Sequence, residues 1–377
     1  MTTHSYHKVL PTSNNQNGYI EHDQLDFLIT ASQDRALIPD SILLEYSLEV
    51  FKTGSTLVTN VIEDEICLSS AHAIFDNFQC ETESNGMVEN LANYNRYCYM
   101  TEKMTKSKTD LFNSVDNAKG CNLTRANEFI NCQQESTQLA GYVNKNDPHY
   151  CIKPKICFNR SVGGQYMFSN GYIKLSTTLA RINKALYGRY SGSTDMTYKI
   201  KNVNVRYETQ PAELASNSPM MAFSYKGIKS VVSSQNNNIQ AIVPSKSCSG
   251  LMCSFISQDD DNNFKVNSSQ MQVLHGIEGL RFLYNSQLGQ RVAYNIQDIR
   301  EMLSQAVEVL NTSEQQGNNQ ITRQAMSAND CFLLGMDFKS MLDLSNTNIE
   351  INIQLDTTYS GKKHNAYLYF IELLKLN

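Results

Sequence analysis

The chain has 377 residues, enough for two domains of ordinary size, and its 32 basic against 37 acidic residues leave a net charge of −5. Charged residues make up only 18% and hydrophobic ones 41%, so Asn, Gln, Ser and Thr must supply much of the polar surface. This balance excludes a basic nucleic-acid footprint as the main theme, and the apolar share excludes a disordered chain.

Residues 1–20 include the polar run Ser13–Gly18 (SNNQNG) and lack hydrophobic periodicity, which predicts a flexible N-terminal arm. No signal-like apolar segment follows Met1, and no run approaches the ~18 apolar residues of a membrane span. Synthesis and assembly inside a cell are therefore expected. In a reducing compartment the ten cysteines read as small buried hydrophobes rather than as a disulfide framework. The sequons at Asn122, Asn159, Asn267 and Asn311 read as products of an Asn-rich composition.

From Leu25 the text becomes β-like. Leu25–Ile29 is followed by Ile42–Phe51, in which Leu44, Tyr46, Leu48 and Val50 share one face by alternation. Further strands are predicted at Glu65–Ser70, Ala73–Glu81, Tyr150–Phe158, Tyr172–Leu179 and Met196–Tyr207. Two segments carry a helical period instead. Glu89–Met104 places Leu91, Tyr94, Cys98 and Met104 along one stripe, and Asn295–Leu310 places Ile296, Ile299, Leu303, Ala306, Val307 and Leu310 on one face. Both read as amphipathic packing helices, with a third over Arg125–Ala140.

Pro211 and Pro219 bracket small polar residues, and a central strand cannot run through that text. A first domain over 21–210, a linker over 211–221 and a second domain over 222–377 follow from the break. The two sides match at a shift of 205 residues: Ala36–Pro39 falls on Ala241–Pro244, and Tyr46, Leu48 and Val50 fall on Leu251, Cys253 and Phe255. Ile74–Phe78 then lies near Gly279–Phe282, Gly86 near Gly289, and the helix after Glu89 near the helix after Asn295. Tyr172–Leu175 and Tyr198–Tyr207 pair with Cys331–Leu334 and Ala366–Leu374 as closing strands. Each half holds about eight strands, with one helix after the fourth. Eight antiparallel strands in two packed sheets make a jelly roll, so the predicted fold is all-β with a few inserted helices, two tandem eight-stranded jelly rolls.

Catalytic chemistry is not visible in the text. The seven histidines form no HExxH motif, and no GxSxG or P-loop accompanies them. His72 and His275 precede corresponding strands and read as structural caps. Cys248 and Cys253, or Cys151 and Cys157, lack the second pair that a zinc site needs. Asp259, Asp261 and Asn263 alternate as calcium ligands do, but Phe264 and Gln270 stand where the loop needs Gly and Glu. Glu63–Glu65 reads as a solvated strand entrance. No catalytic, cofactor-binding or metal residue is assigned, and no enzyme activity is expected.

The segment Ser69–Phe78 (SSAHAIFDNF), the strand after it, Asn85-Gly86 and the helix start Tyr94–Tyr97 (YNRY) resemble the double jelly-roll major capsid proteins of tailless icosahedral DNA viruses. That lineage includes adenovirus hexons, virophages and polinton-like viruses. The resemblance implies a structural protein whose homotrimers form pseudo-hexagonal capsomers tiling a virion shell. It implies self-association and contact with neighbouring capsomers, and minor or penton proteins as partners. It also implies an N-terminal arm that ties neighbours together or touches an internal membrane, with no direct nucleic-acid binding and no cofactor. The segment from Thr101 to His149 is then the candidate trimer-contact or surface insertion. Alternatives are a minor or penton-type shell protein, or a carbohydrate-binding attachment protein, although the absence of Trp removes the usual sugar-stacking platform.

Overall fold

The computed structural model describes residues 4–13, 15–52, 56–57, 66–105, 149–188, 196–216, 218–285, 290–314, 331–345, 347–357, 359 and 361–376. The predicted helix over 125–140, most of the 101–149 insertion and the Glu63–Glu65 run lie outside the described residues.

The first half contributes eight principal strands: β1 (Ser5–Val9), β2 (Gln24–Ile29), β3 (Leu43–Lys52), β4 (Phe75–Thr82), β5 (Gly86–Ala92), β6 (His149–Ile152), β7 (Ile173–Leu179) and β8 (Thr197–Pro211). The second half contributes β9 (Met220–Val232), β10 (Asn238–Ile242), β11 (Cys248–Ser257), β12 (Ile277–Asn285), β13 (Arg291–Ile296), β14 (Leu333–Leu342), β15 (Asn348–Leu355) and β16 (His364–Leu376). In the first half the strands pair antiparallel in the orders β1-β8-β3-β6 and β2-β7-β4-β5. In the second half the orders are β9-β16-β11-β14 and β10-β15-β12-β13. Adding eight to each label converts one half into the other. The molecule is two jelly rolls in tandem, each with two four-stranded faces enclosing a core.

The repeat is sharpest where it was legible in sequence, because a shift of 205 residues carries β3 onto β11 end to end. Leu44, Tyr46, Leu48 and Val50 all point inward, at 2% exposure or less. The helices occupy matching places: α1 (Tyr94–Thr105) follows β5 and α2 (Ile299–Glu314) follows β13.

Several expectations need correction. Ser5–Val9, assigned by composition to a mobile arm, is the first strand, paired with Val205–Thr209. A polar strand is stable there because its partner β8 supplies the hydrogen-bond ladder, while its side chains alternate between half-buried and exposed. Counting β1, each helix follows the fifth strand of its roll. Residues 89–92 belong to β5, so α1 begins at Tyr94. The last strands β8 and β16 do correspond, but Tyr172–Leu175 enters the seventh strand of its roll whereas Cys331–Leu334 enters the sixth.

The predicted strand over Tyr150–Phe158 stops at Ile152, close before Pro154, which has no N–H for a ladder. Nor is α1 amphipathic in its setting. Every residue of it except Lys103 is buried, since it lies between the two rolls. Gly335 explains how α2 seats on its sheet, because a Cβ there would stand 2.4 Å from the Ala306 Cα.

Candidate functional site at the junction of the two rolls

The rolls meet where the outer edge of β5 runs parallel to the outer edge of β9, with Lys226 opposite Asn90. This contact fuses one face of each roll into a nine-stranded sheet that also takes in the short strand Ser161–Gly163. Gly227 permits the approach, because a Cβ there would lie 2.5 Å from the Ala92 carbonyl oxygen. The phenol of Tyr369 on β16 donates to the Asn93 carbonyl at 3.1 Å, closing the turn between β5 and α1 onto the second roll.

Arg96, in the first turn of α1, crosses the junction. Its side chain donates to Ser254 Oγ at 3.2 Å and to the carbonyls of Ser268 (2.7 Å), Phe255 (3.0 Å) and Gln270 (2.6 Å), all in the second roll. The guanidinium also lies 4.4 Å from the Tyr367 ring centroid. A cation in a first helical turn opposes the helix dipole; the four acceptors and the ring offset that cost. Behind the ring, Tyr367 donates to the Asp261 carboxylate at 2.8 Å, which also receives Lys229 Nζ at 2.6 Å and Asn365 Nδ2 at 2.7 Å. Burial pushes the Asp261 carboxyl up, but the Lys229 and Tyr367 hydrogen bonds outweigh it and hold the group below the ordinary carboxylate range.

A second lock is built on Glu89 of β5. Its fully buried carboxylate pairs with Arg160 and accepts from the backbone N–H groups of Tyr225 (3.1 Å) and Cys157 (2.7 Å). Arg160 in turn donates to the Phe223 carbonyl at 3.2 Å and the Tyr97 hydroxyl at 3.1 Å, while the Phe223 N–H donates to the Arg160 carbonyl at 3.1 Å. The Arg160 guanidinium lies 4.4 Å from the Tyr225 ring centroid. Burial raises the Glu89 carboxyl, with Arg160 and the two amides pulling against it. The second roll therefore satisfies buried charges carried by the first, Arg96, Glu89 and Arg160, and these bonds have direction.

Cys80 and Cys157 join this lock. Their thiols and the Glu89 carboxylate lie within 4.8 Å of one another, a grouping of metal-ligand composition that sequence spacing did not reveal. Glu89 is, however, engaged by four donors, the Cys80 thiol included. Burial raises both thiols, which disfavours the thiolate a metal requires. The arrangement is that of a satisfied core.

The other sequence candidates disperse. His72 is buried before β4 with Nδ1 2.8 Å from the Tyr94 hydroxyl and Nε2 3.4 Å from Glu102, while Ser70 Oγ makes the backbone cap. His275 precedes β12 beside His364. Cys248 and Cys253 are buried on β11, and burial pushes the Cys248 thiol up to about 12. The Asp259–Asp261 carboxylates diverge: Asp260 accepts from Gln272 at 2.8 Å and Asp261 turns inward. Sequence reasoning missed Glu89, Arg96, Arg160 and Asp261 as a set. The one local signal was an Arg in the first turn of a helix with no acid beside it.

No protein-family model matches the sequence, and no curated protein matches it. Solved structures do. A chain of the Sputnik virophage, solved by cryo-EM, superposes with a TM-score of 0.59 at 8% identity, over 98% of this chain and 85% of that one. The Faustovirus major capsid protein superposes with a TM-score of 0.55 at 7% identity, over 100% of this chain and 91% of that one. At these identities the likeness is one of fold: this chain has the double jelly-roll fold of those viral proteins.

Proposed function

We propose that the protein is a structural major capsid protein whose homotrimers form pseudo-hexagonal capsomers of an icosahedral shell. The observation that carries this reading is the junction, which holds two matched rolls in one fixed relation through buried, directional bonds. Three copies of such a pair present six similar faces, so one gene product can fill six-coordinated positions of a shell. The Faustovirus protein of the same fold is itself a major capsid protein. The convergence of titratable groups at the junction serves packing, which supports a structural role over a catalytic one. Its partners are then its own copies and neighbouring capsomers, with minor or penton proteins at other shell positions. The virion is its location, after assembly in the host cell. Nucleic acid is not a partner on this reading, in keeping with the net charge of −5. Residues 5–9 are tied into the first roll and are not a free arm reaching a membrane.

Light scattering of the native protein, followed by negative-stain imaging, tests this. A mass of three chains with a six-sided outline is expected. A monomer over the accessible concentration range refutes it.

A further inference from the structure

Asp261 ends the short helical turn Gln258–Asp261 that follows β11, and its Oδ2 receives two donors at once, Lys229 Nζ at 2.6 Å and Asn365 Nδ2 at 2.7 Å. We propose that this is a self-modification site, at which Lys229 Nζ and Asn365 Cγ join in an intramolecular isopeptide bond with Asp261 as the catalytic proton carrier. The inference goes beyond the capsomer reading and does not depend on it.

The parts that such chemistry needs converge here. The nucleophile is the Lys229 amine on β9, the first strand of the second roll, and the electrophile is the Asn365 amide on β16, the last strand. These strands are antiparallel neighbours, with Lys229 opposite Tyr367 and Val231 opposite Asn365, so Lys229, Tyr367 and Asn365 stand on one face of the sheet. Their common partner keeps the amine and the amide nitrogen within the span of two hydrogen bonds. The amide is fixed at both ends. Its nitrogen donates to Asp261, and its Oδ1 accepts from Gln258 Nε2 at 3.2 Å, a donor that stabilises negative charge on that oxygen as an amine adds. The Tyr367 hydroxyl, 2.8 Å from both carboxylate oxygens, holds Asp261 in place.

Water access also suits the step. Asp261 is 1% exposed and Asn365 4%, which keeps out the water that would hydrolyse the amide. The Lys229 side chain is 35% exposed, which gives the leaving group a way out.

The reaction balances without an oxidant or cofactor. Asp261 starts as the anion paired with Lys229 and takes a proton from the ammonium. The freed amine adds to Asn365 Cγ, forming the new C–N bond, and Asp261 passes its proton to Asn365 Nδ2. The old C–N bond breaks, ammonia leaves, and the new amide nitrogen gives its surplus proton back through Asp261 to the ammonia. One ammonium side chain and one primary amide become one secondary amide and one ammonium ion. The chain is its own substrate and reacts once. The bond ties the first strand of the second roll to its last and closes a covalent loop over residues 229–365, which limits the freedom of the unfolded chain.

The test is the intact mass of the full-length protein. Folded wild type held in warm, mildly alkaline buffer is expected to lose about 17 Da, the mass of the ammonia that the lysine nucleophile displaces. Trypsin should then spare Lys229, so that residues 227–246 are found joined to residues 364–375 in one peptide. That peptide separates the bond from ammonia loss by succinimide formation. Lys229→Arg keeps a cation beside Asp261 and Asp261→Asn keeps the shape, and both should stay folded by circular dichroism and retain their full mass. Gln258→Ala should slow linkage on the order of 100-fold. A folded wild-type chain that keeps its sequence mass, or that loses ammonia without the joined peptide, overturns the inference. A joined peptide formed at the wild-type rate in Asp261→Asn overturns it as well, because the proton carrier is then not Asp261.

Discussion

Replacing Arg96 is the sharpest probe of the junction, because one side chain serves four acceptors in the other roll. Of these, the Phe255 carbonyl keeps a second donor, the Gln272 N–H at 2.8 Å. Truncation therefore strands chiefly the carbonyls of Ser268 and Gln270, at about 1–3 kcal/mol each. It also removes the cation over the Tyr367 ring, worth about 1–2 kcal/mol when desolvated. Water entering the vacated space returns part of the loss, and Arg96→Ala is expected to cost about 4 kcal/mol. Arg96→Met keeps most of the stem volume without donors and should cost nearly as much. Arg96→Lys, which can reach one or two acceptors, should cost about half as much.

The chain has no Trp, so urea unfolding is followed by near-ultraviolet circular dichroism of tyrosine. Hydrogen exchange across residues 262–276 provides a local readout. An Arg96→Met variant within 1 kcal/mol of wild type, with protection across 262–276 unchanged, would refute the assignment of Arg96 as the cross-junction lock.

Gly227→Ala drives a Cβ against the Ala92 carbonyl and should destabilise by about 1–3 kcal/mol through forced separation of β5 and β9, seen as a lower urea midpoint. Glu89→Gln leaves Arg160 buried without its counter-charge and should cost about 3–5 kcal/mol. The double replacement Glu89→Leu with Arg160→Met should cost less than Glu89→Gln alone, which a double-mutant cycle measures. His364 contributes to the pH response: burial, helped by the Lys362 charge, holds its imidazole below the ordinary 6.5 against the pull of the Lys362 carbonyl and Asp260. Its contribution to stability is full above pH 6.5 and is lost as pH falls through the lowered value. Urea midpoints should therefore drop between pH 7.5 and 5, and His364→Gln should flatten that drop. Asp261 works at lower pH: its carboxyl lies below 3.8 in the folded chain, so its contribution disappears only as acid protonates it. Asp261→Asn should reduce stability at pH 7 and narrow the gap to wild type near pH 2.

The alternating residues of β3 were readable because period-2 alternation and burial on one face are the same fact stated twice. Leu44, Tyr46, Leu48 and Val50 needed no partner to be recognised. The repeat at 205 residues was readable for a related reason: two rolls with the same core demand the same inward residues in the same order. β16 shows where that logic stops. Ala366–Ile371 is buried without alternation, because one face looks into the roll core while Arg96 reaches over the other at Tyr367.

Ser5–Val9 shows the opposite failure. Its weak pattern becomes a strand only because β8 is there to pair with it. The junction lay furthest from view, since Arg96 finds its acceptors 158 to 174 residues along the chain and Arg160 meets Glu89 at a separation of 71. Local propensity and hydrophobic period act over a few residues, and they determined the strongly patterned strands, the helical segments and the duplication. Which polar group satisfies which buried charge depends on what the closed rolls bring together, so only the tertiary structure decided how the two halves lock.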